Sequence, residues 1–299
     1  MDPEEEYLSG FIGIIGRPNV GKSTLLNSLV GRKLAITSER PQTTRNRIRA
    51  VVTTPGAQMI FVDTPGFHKP REALGEKLNA MVRSTMRDVD VILFVLDGAT
   101  TIGRGDVFIS GELKKVETPV VGVVNKIDLL DEGKVESQME VARHLFPFAA
   151  VVPVSSKYGA NVARLGELLA GHLPPGPRYF PPEMVSDQPE KVFIGELVRE
   201  KALELTRDEV PHSVAVMVNE VKPREDGRLV DIEVVIYVER ESQKGILIGK
   251  GGRMIKEIGI RARKEIEPII GNKAFLSLRV KVEKNWSKNP EFIRRLEYE

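Results

Sequence analysis

Gly16-Arg17-Pro18-Asn19-Val20-Gly21-Lys22-Ser23, followed by Thr24, is the stretch on which the reading of the chain turns. It has the form G-x-x-x-x-G-K-S. Upstream, Phe11-Ile12-Gly13-Ile14-Ile15 is a short apolar run that reads as a buried strand. Downstream, Leu25, Leu26, Leu29 and Val30 recur at helical spacing. Strand, Gly-rich loop and helix in that order make a phosphate-binding loop. N–H groups of the loop and the first helical turn converge on one spot, where the helix dipole also favours an anion. Lys22 can reach the β- and γ-phosphates, and the Ser23 hydroxyl can ligate Mg²⁺.

Working outward, short apolar runs alternate with helical patterns. Strands are expected at 11–15, 48–53, 58–62, 91–96, 120–124 and 150–154, with helices at 22–30, 72–87, 105–116, 134–145 and 161–172. Runs of Val, Ile and Leu suit strands buried on both faces. The alternation predicts an α/β, doubly wound, mostly parallel sheet over residues 1–174. Residues 175–190, rich in Pro, read as a semi-rigid extended linker. Residues 191–299 change order to helix, strand, strand, helix, helix, strand, which predicts a second, α+β domain. Its elements are expected at 191–208, 213–221, 229–239, 241–268 and 275–283.

Four further stretches decide which nucleotide the loop serves. Asp63-Thr64-Pro65-Gly66 follows a predicted strand. Asp63 can hold Mg²⁺ through a water, and the Gly66 N–H can sense a γ-phosphate. Asn125-Lys126-Ile127-Asp128 follows another strand. Guanine offers a ring N–H and an amine on one edge, two donors that match the Asp128 carboxylate, whereas adenine offers no such pair. The Lys126 stem can lie across the base, and Asn125 can tie this loop to the phosphate loop. Ser155 and Ser156, with Lys157, can present N–H groups to the guanine oxygen. The polar stretch Pro41-Gln42-Thr43-Thr44-Arg45-Asn46 is a candidate switch, in which a Thr hydroxyl completes the Mg²⁺ shell. Thr44 is preferred to Thr43 there. Lys22, Thr44 and Gly66 are the candidate catalytic residues. Phe67 stands where related enzymes carry a water-orienting Gln, and His68 next to it has no evident partner.

In the second domain, Gly249-Lys250-Gly251-Gly252 is a G-x-x-G turn between two helical patterns. With the element order, it reads as a type II KH domain, whose loop clamps about four nucleotides of RNA. Lys250 and Arg253 add charge, Ile246 and Ile248 can line a groove for bases, and Arg279 and Lys281 extend the basic face. Net charge is only +2, yet twelve bases and four acids fall between Lys244 and Lys288, so the rest is net acidic. Trp286 is read as a core cap or, less simply, a base-stacking platform.

With no Cys, the chain has no disulfide or thiolate chemistry, which fits a reducing compartment. The acidic start, Met1-Asp2-Pro3-Glu4-Glu5-Glu6, is not a secretory signal, and no apolar run approaches a membrane span of about 18 residues.

Taken together, G-R-P-N-V-G-K-S-T, P-Q-T-T-R, D-T-P-G-F-H and N-K-I-D resemble the Era branch of the TrmE–Era–EngA class of GTPases. One departure is Ser155-Ser156 where the family usually has Ser-Ala, which adds a hydroxyl near the base. The resemblance implies a GTPase with GTP/GDP and Mg²⁺ that binds the 3′ end of 16S rRNA and acts in 30S ribosomal subunit maturation. It implies K⁺ stimulation, with Asn19 as candidate ligand; the alternative is Asn19 as a turn former. A cytoplasmic monomer is expected, with peripheral contact on the inner face of the membrane and no DNA partner. Intrinsic hydrolysis is expected to be slow. Two other readings are an RNA-binding assembly factor that holds nucleotide without turnover, and a tRNA-modifying enzyme, for which no modification domain is visible.

Overall fold

Val-, Ile- and Leu-rich segments build the first sheet, in the computed structural model that describes residues 6–37, 47–67, 73–207, 210–225 and 227–296. The elements are β1 (Leu8–Gly16), α1 (Lys22–Val30), β2 (Ile48–Thr53), β3 (Ala57–Asp63), α2 (Ala73–Asp88), β4 (Val91–Asp97), α3 (Arg104–Leu113), β5 (Val120–Asn125), α4 (Glu132–Leu145), β6 (Ala150–Val154) and α5 (Val162–Ala170). The sheet order is β2-β3-β1-β4-β5-β6, with β2 antiparallel to β3 and the other pairs parallel. Successive side chains of β1 point to opposite faces. Ile12 and Ile14 join Leu25 and Leu26 of α1 and Leu165 and Leu169 of α5. Ile15 joins Val82 and Met86 of α2, Ile109 of α3 and Met139 of α4 on the other face. Helices therefore cover both faces, as the doubly wound pattern requires. The nucleotide loops leave the carboxyl ends of β1, β3, β5 and β6, on one rim, where open α/β sheets hold ligands.

The chain divides into two compact units, and the change falls between Asp187 and Gln188. The segment read as a linker is extended, but it lies on the first unit. Ser9 N–H donates to the Pro174 carbonyl at 3.0 Å, and Gly176 N–H to the Tyr7 carbonyl at 2.9 Å. Gln58 exchanges two hydrogen bonds with the Phe180 backbone, at 2.8 and 3.0 Å. Val51 N–H donates to the Val185 carbonyl at 2.9 Å, Ser186 Oγ to the Arg49 carbonyl at 2.7 Å, and Arg49 pairs with Asp187 at 2.8 Å. Residues 185–187 thus run alongside β2.

The second unit comprises α6 (Glu190–Leu205), the short α7 (Val210–Ser213), β7 (Ala215–Pro223), β8 (Leu229–Val238), α8 (Glu241–Ile248), α9 (Arg253–Ile270), β9 (Lys273–Val282) and α10 (Pro290–Arg295). Its sheet order is β7-β8-β9, antiparallel then parallel. Ile232, Val234, Ile236 and Val238 are buried along one face of β8. Trp286 is fully buried, its Nε1 donates to the Ser213 carbonyl at 2.7 Å, and its ring lies 6.4 Å from Phe292. It is a core residue, and the base-stacking alternative falls away. On α6, Lys201 is buried among the carboxylates of Glu200, Glu204 and Glu265, at 2.6–3.0 Å.

Candidate functional site

β1 ends at Gly16, and the chain turns through Asn19 (φ 64) and Gly21 (φ 96) into α1. A side chain at Gly21 would both strain that φ and place a Cβ 2.3 Å from Asn125 Nδ2. The turn is pinned from two sides. Asn125 Nδ2 donates to the Val20 carbonyl at 2.8 Å, and Lys126 Nζ to the Asn19 carbonyl at 2.7 Å. Asn125 therefore does tie the two loops together. Pro18 lies against Gly66, where a Cβ would sit 2.7 Å from the Pro18 nitrogen.

Lys22 is buried, and its ammonium donates to the carbonyls of Gly16 at 3.2 Å and Arg17 at 3.0 Å. Ser23 Oγ donates to Asp63 Oδ2 at 2.8 Å. A hydroxyl and a carboxylate form an all-oxygen donor pair of the kind a hard cation such as Mg²⁺ takes, so the residues present fit that ion. Thr64 is buried and its hydroxyl donates to the Ile14 carbonyl at 2.7 Å, so its side chain braces β1 against β3. Gln42, Thr43, Thr44, Arg45, Asn46 and His68 lie outside the described residues.

Burial lowers the pKa of Lys22 from 10.5 to about 8, against the opposing pull of Asp63. Between those two values the unfolded chain binds more protons than the native state, so the free protein gains stability as pH rises through that window. Below about 8 the buried ammonium costs roughly 3 kcal/mol. A phosphate chain beside it favours the charged form. GDP binding near pH 9 should therefore take up protons. Calorimetry in two buffers of unlike ionisation enthalpy should show it, and identical heats in both would refute it.

Across the rim, Asp128 is exposed, and Ser155 Oγ donates to its Oδ1 at 2.5 Å. That bond orients the carboxylate without covering it. The additional hydroxyl of Ser156 does not face a base: it donates to Asn125 Oδ1 at 2.7 Å, beside the Ser156 N–H at 3.0 Å. Ser156 thus reinforces Asn125. Two residues of this region escaped the sequence reading. Asp97 accepts from Lys126 Nζ at 2.7 Å and holds that side chain; the only signal was an Asp-Gly pair after an apolar strand. Asp106 accepts from Arg17 Nε at 2.7 Å, which turns the Arg17 side chain onto α3.

Phe67 is buried at 1% exposure, its ring 5.4 Å from Phe108 and the Arg83 guanidinium 5.3 Å from its centroid. It anchors the turn after β3 in the core. Phe67→Gln should therefore not raise hydrolysis, and it should cost about 3–5 kcal/mol of stability in urea melts. A faster, equally stable variant would contradict this.

In the second unit, Gly249 (φ 71), Gly251 (φ 62) and Gly252 (φ 76) turn the chain between α8 and α9. A Cβ at Gly251 would meet nothing within 4 Å, so that backbone is open to approach. Ile246 is 47% exposed and Ile248 half-buried. Lys250, Arg253, Arg279 and Lys281 are all exposed. Among the described residues no ion pair engages these four, whereas Arg224, Arg261 and Lys273 nearby each pair with a carboxylate.

Family comparisons agree with both halves. A model described as "50S ribosome-binding GTPase" matches residues 11–126, and a KH domain model matches residues 209–287. The chain is 49% identical over 292 residues, 98% of each sequence, to GTPase Era of Caldanaerobacter subterraneus subsp. tengcongensis. The chain belongs to the Era family of GTPases. Its backbone is similar to a crystal structure of Era in complex with MgGDPNP and nucleotides 1506-1542 of 16S ribosomal RNA, with TM-score 0.95 and 40% identity over 98% of this chain and 99% of that one. It is also similar to a variant of Aquifex aeolicus Era bound to GDP.AlF4-, with TM-score 0.94 and 39% identity over 97% and 99%. The Era assignment joins the phosphate loop and the G-x-x-G turn in one protein. Among the described residues, no helix is long and apolar enough to cross a membrane.

Proposed function

We propose that this Era-family GTPase grips the 3′ end of 16S rRNA through its G-x-x-G turn, acts in 30S subunit maturation, and sets that grip by its nucleotide state. The observation that carries the reading is the open backbone at Gly251, flanked in the chain by the exposed Lys250 and Arg253, which have no carboxylate partner among the described residues. A backbone that a phosphate chain can approach, beside uncommitted positive charge, suits single-stranded RNA. The RNA-bound Era structure, of 40% identity, supports the choice of RNA.

At the nucleotide site, Lys22 and the amides of the phosphate loop hold the phosphates, and Asp128 reads guanine. Ser23, Asp63 and Thr44 would hold Mg²⁺, which neutralises charge on the β- and γ-oxygens. With Phe67 in the core, intrinsic turnover is slow and rises when a partner orders the switch. Asn19 would help hold a K⁺ ion, whose positive charge would stand in for that of an arginine finger. Equal rates in KCl and NaCl would remove the cation, and equal single-turnover rates with and without 30S subunits would remove the partner.

Coupling between the two activities has a route through the hydrogen bonds of residues 185–187 and the chain that continues from them. Residues 185–187 are bonded to β2, the strand that follows the candidate switch, and α6 begins at Glu190. A shift of β2 is thus passed to the start of the second unit. RNA titrations of GDP-bound, GTP-analogue-bound and nucleotide-free protein test this. Three distinct isotherms are expected, and superimposable ones would refute the coupling.

A further inference from the structure

Two carbonyls orient the Lys22 ammonium, those of Gly16 and Arg17. Each has a link to α3, indirect for Gly16 and direct for Arg17. The Gly16 carbonyl also accepts the Phe67 N–H at 3.1 Å, and the Phe67 ring packs on Phe108 of α3. Arg17 is held more directly. Its Nε donates to Asp106 Oδ1 at 2.7 Å, and a terminal guanidinium nitrogen donates to Thr100 Oγ1 at 3.3 Å.

Asp106 is fully buried, and its second oxygen accepts the Gly103 N–H at 3.0 Å, in the first turn of α3. Both carboxylate oxygens are committed, so the group has one well-defined orientation. The helix surface is shaped for the arginine stem as well. A Cβ on Gly105 would lie 2.5 Å from Arg17 Cδ. A buried carboxylate with a single cationic partner makes a strong, directional restraint, because losing the partner leaves the charge uncompensated.

We propose that Asp106 is a positioning residue for GTP turnover: it grips the Arg17 guanidinium and so fixes the carbonyl against which the Lys22 ammonium is set. The charge that meets the transferring phosphoryl group then takes its position from α3, a helix that contributes no residue to the phosphate loop. Displacement of such a charge by about 1 Å costs up to roughly 100-fold in rate. The bland alternative is that the pair only staples the start of α3, which would lower stability and leave the chemistry of the folded protein alone.

Four variants separate the two. Arg17→Met keeps the stem over Gly105 and removes the charge, Arg17→Lys restores a charge, Asp106→Asn removes the acceptor charge, and the Arg17→Met/Asp106→Asn double variant removes both. Single-turnover hydrolysis at saturating GTP, GDP affinity and Tm are measured on each. The proposal expects about a 10- to 100-fold lower rate for Arg17→Met and for Asp106→Asn, with GDP affinity held within about threefold. The double variant should be no slower than the worse single one, because both act through one bond. Arg17→Lys should recover part of the rate. If either single variant does not fold, the double variant, which leaves no buried charge in the pair, set against Arg17→Lys decides alone. An unchanged rate in the folded single variants overturns the proposal. So do losses that multiply, a lysine no better than methionine, or a GDP affinity that falls as far as the rate.

Discussion

Asp128→Asn is expected to move nucleotide preference from GTP to XTP, with a loss of GTP affinity of about 10⁴-fold. The carboxylate is exposed toward the rim and its orientation is set by the Ser155 hydroxyl at 2.5 Å. As a pure acceptor it matches the ring N–H and amine of guanine. An asparagine turns one of those oxygens into an amine, which then faces the guanine amine, donor against donor. Xanthine carries a carbonyl in that place and meets the asparagine amine instead. Competition of unlabelled GTP or XTP against labelled XDP on the variant, and against labelled GDP on the parent protein, measures the change. GTP and XTP affinities within tenfold of each other in the variant would remove Asp128 from base recognition. The Gly251 turn belongs to the other unit and should be indifferent, so RNA binding by nucleotide-free protein should not change.

Gly251→Asp is expected to abolish RNA binding, by about 100-fold or more, with GDP affinity unchanged. The position is open, with nothing within 4 Å of a new Cβ. Aspartate tolerates the left-handed backbone better than most residues, so folding should survive at a cost of about 1 kcal/mol. What changes is the sign of the charge that a phosphate backbone meets among Lys250, Arg253, Arg279 and Lys281. Fluorescence anisotropy with an oligonucleotide of the 16S 3′ end reads the loss. Gly251→Ala, which adds bulk without charge, should lose less. Equal losses for the two variants would show that close approach, not electrostatics, dominates there. Undiminished binding by Gly251→Asp would take the turn out of the RNA site.

Much of this was legible because it is written locally. The phosphate loop, Asp63, Asn125 and Asp128 each follow an apolar strand, and strand ends in this kind of sheet share a rim. The G-x-x-G turn was legible for the same reason, through glycines whose φ values are positive. What sequence did not reveal lies in contacts between distant residues. β1 begins at Leu8 because Leu8, Ser9 and Gly10 pair with Ala57, Gln58 and Met59, and no apolar pattern marks a Ser-Gly pair as strand. Arg17 looked like a nucleotide-loop residue, and only the fold reveals Asp106 as its partner. The Ser156 hydroxyl looked like an intrusion on the base and proves to be bonded to Asn125. Trp286 needed its Ser213 partner before the two readings of it could be separated.

The Pro-rich stretch is the clearest case, because the bonds that hold it on the first unit join residues more than 100 positions apart and leave no mark in any local pattern. Its course has a consequence for how the first unit behaves when cut loose. β2 is one of the two edge strands of its sheet, and an edge strand with bare N–H and C=O groups is a template for another chain. Val185 and Ser186 occupy that margin. A fragment ending at Leu173 would keep the phosphate loop and the Asn125–Asp128 loop and still be prone to stick to itself, while one ending at Asp187 would stay dispersed. Light scattering on the two would show that this stretch serves as the sheet's own guard against aggregation.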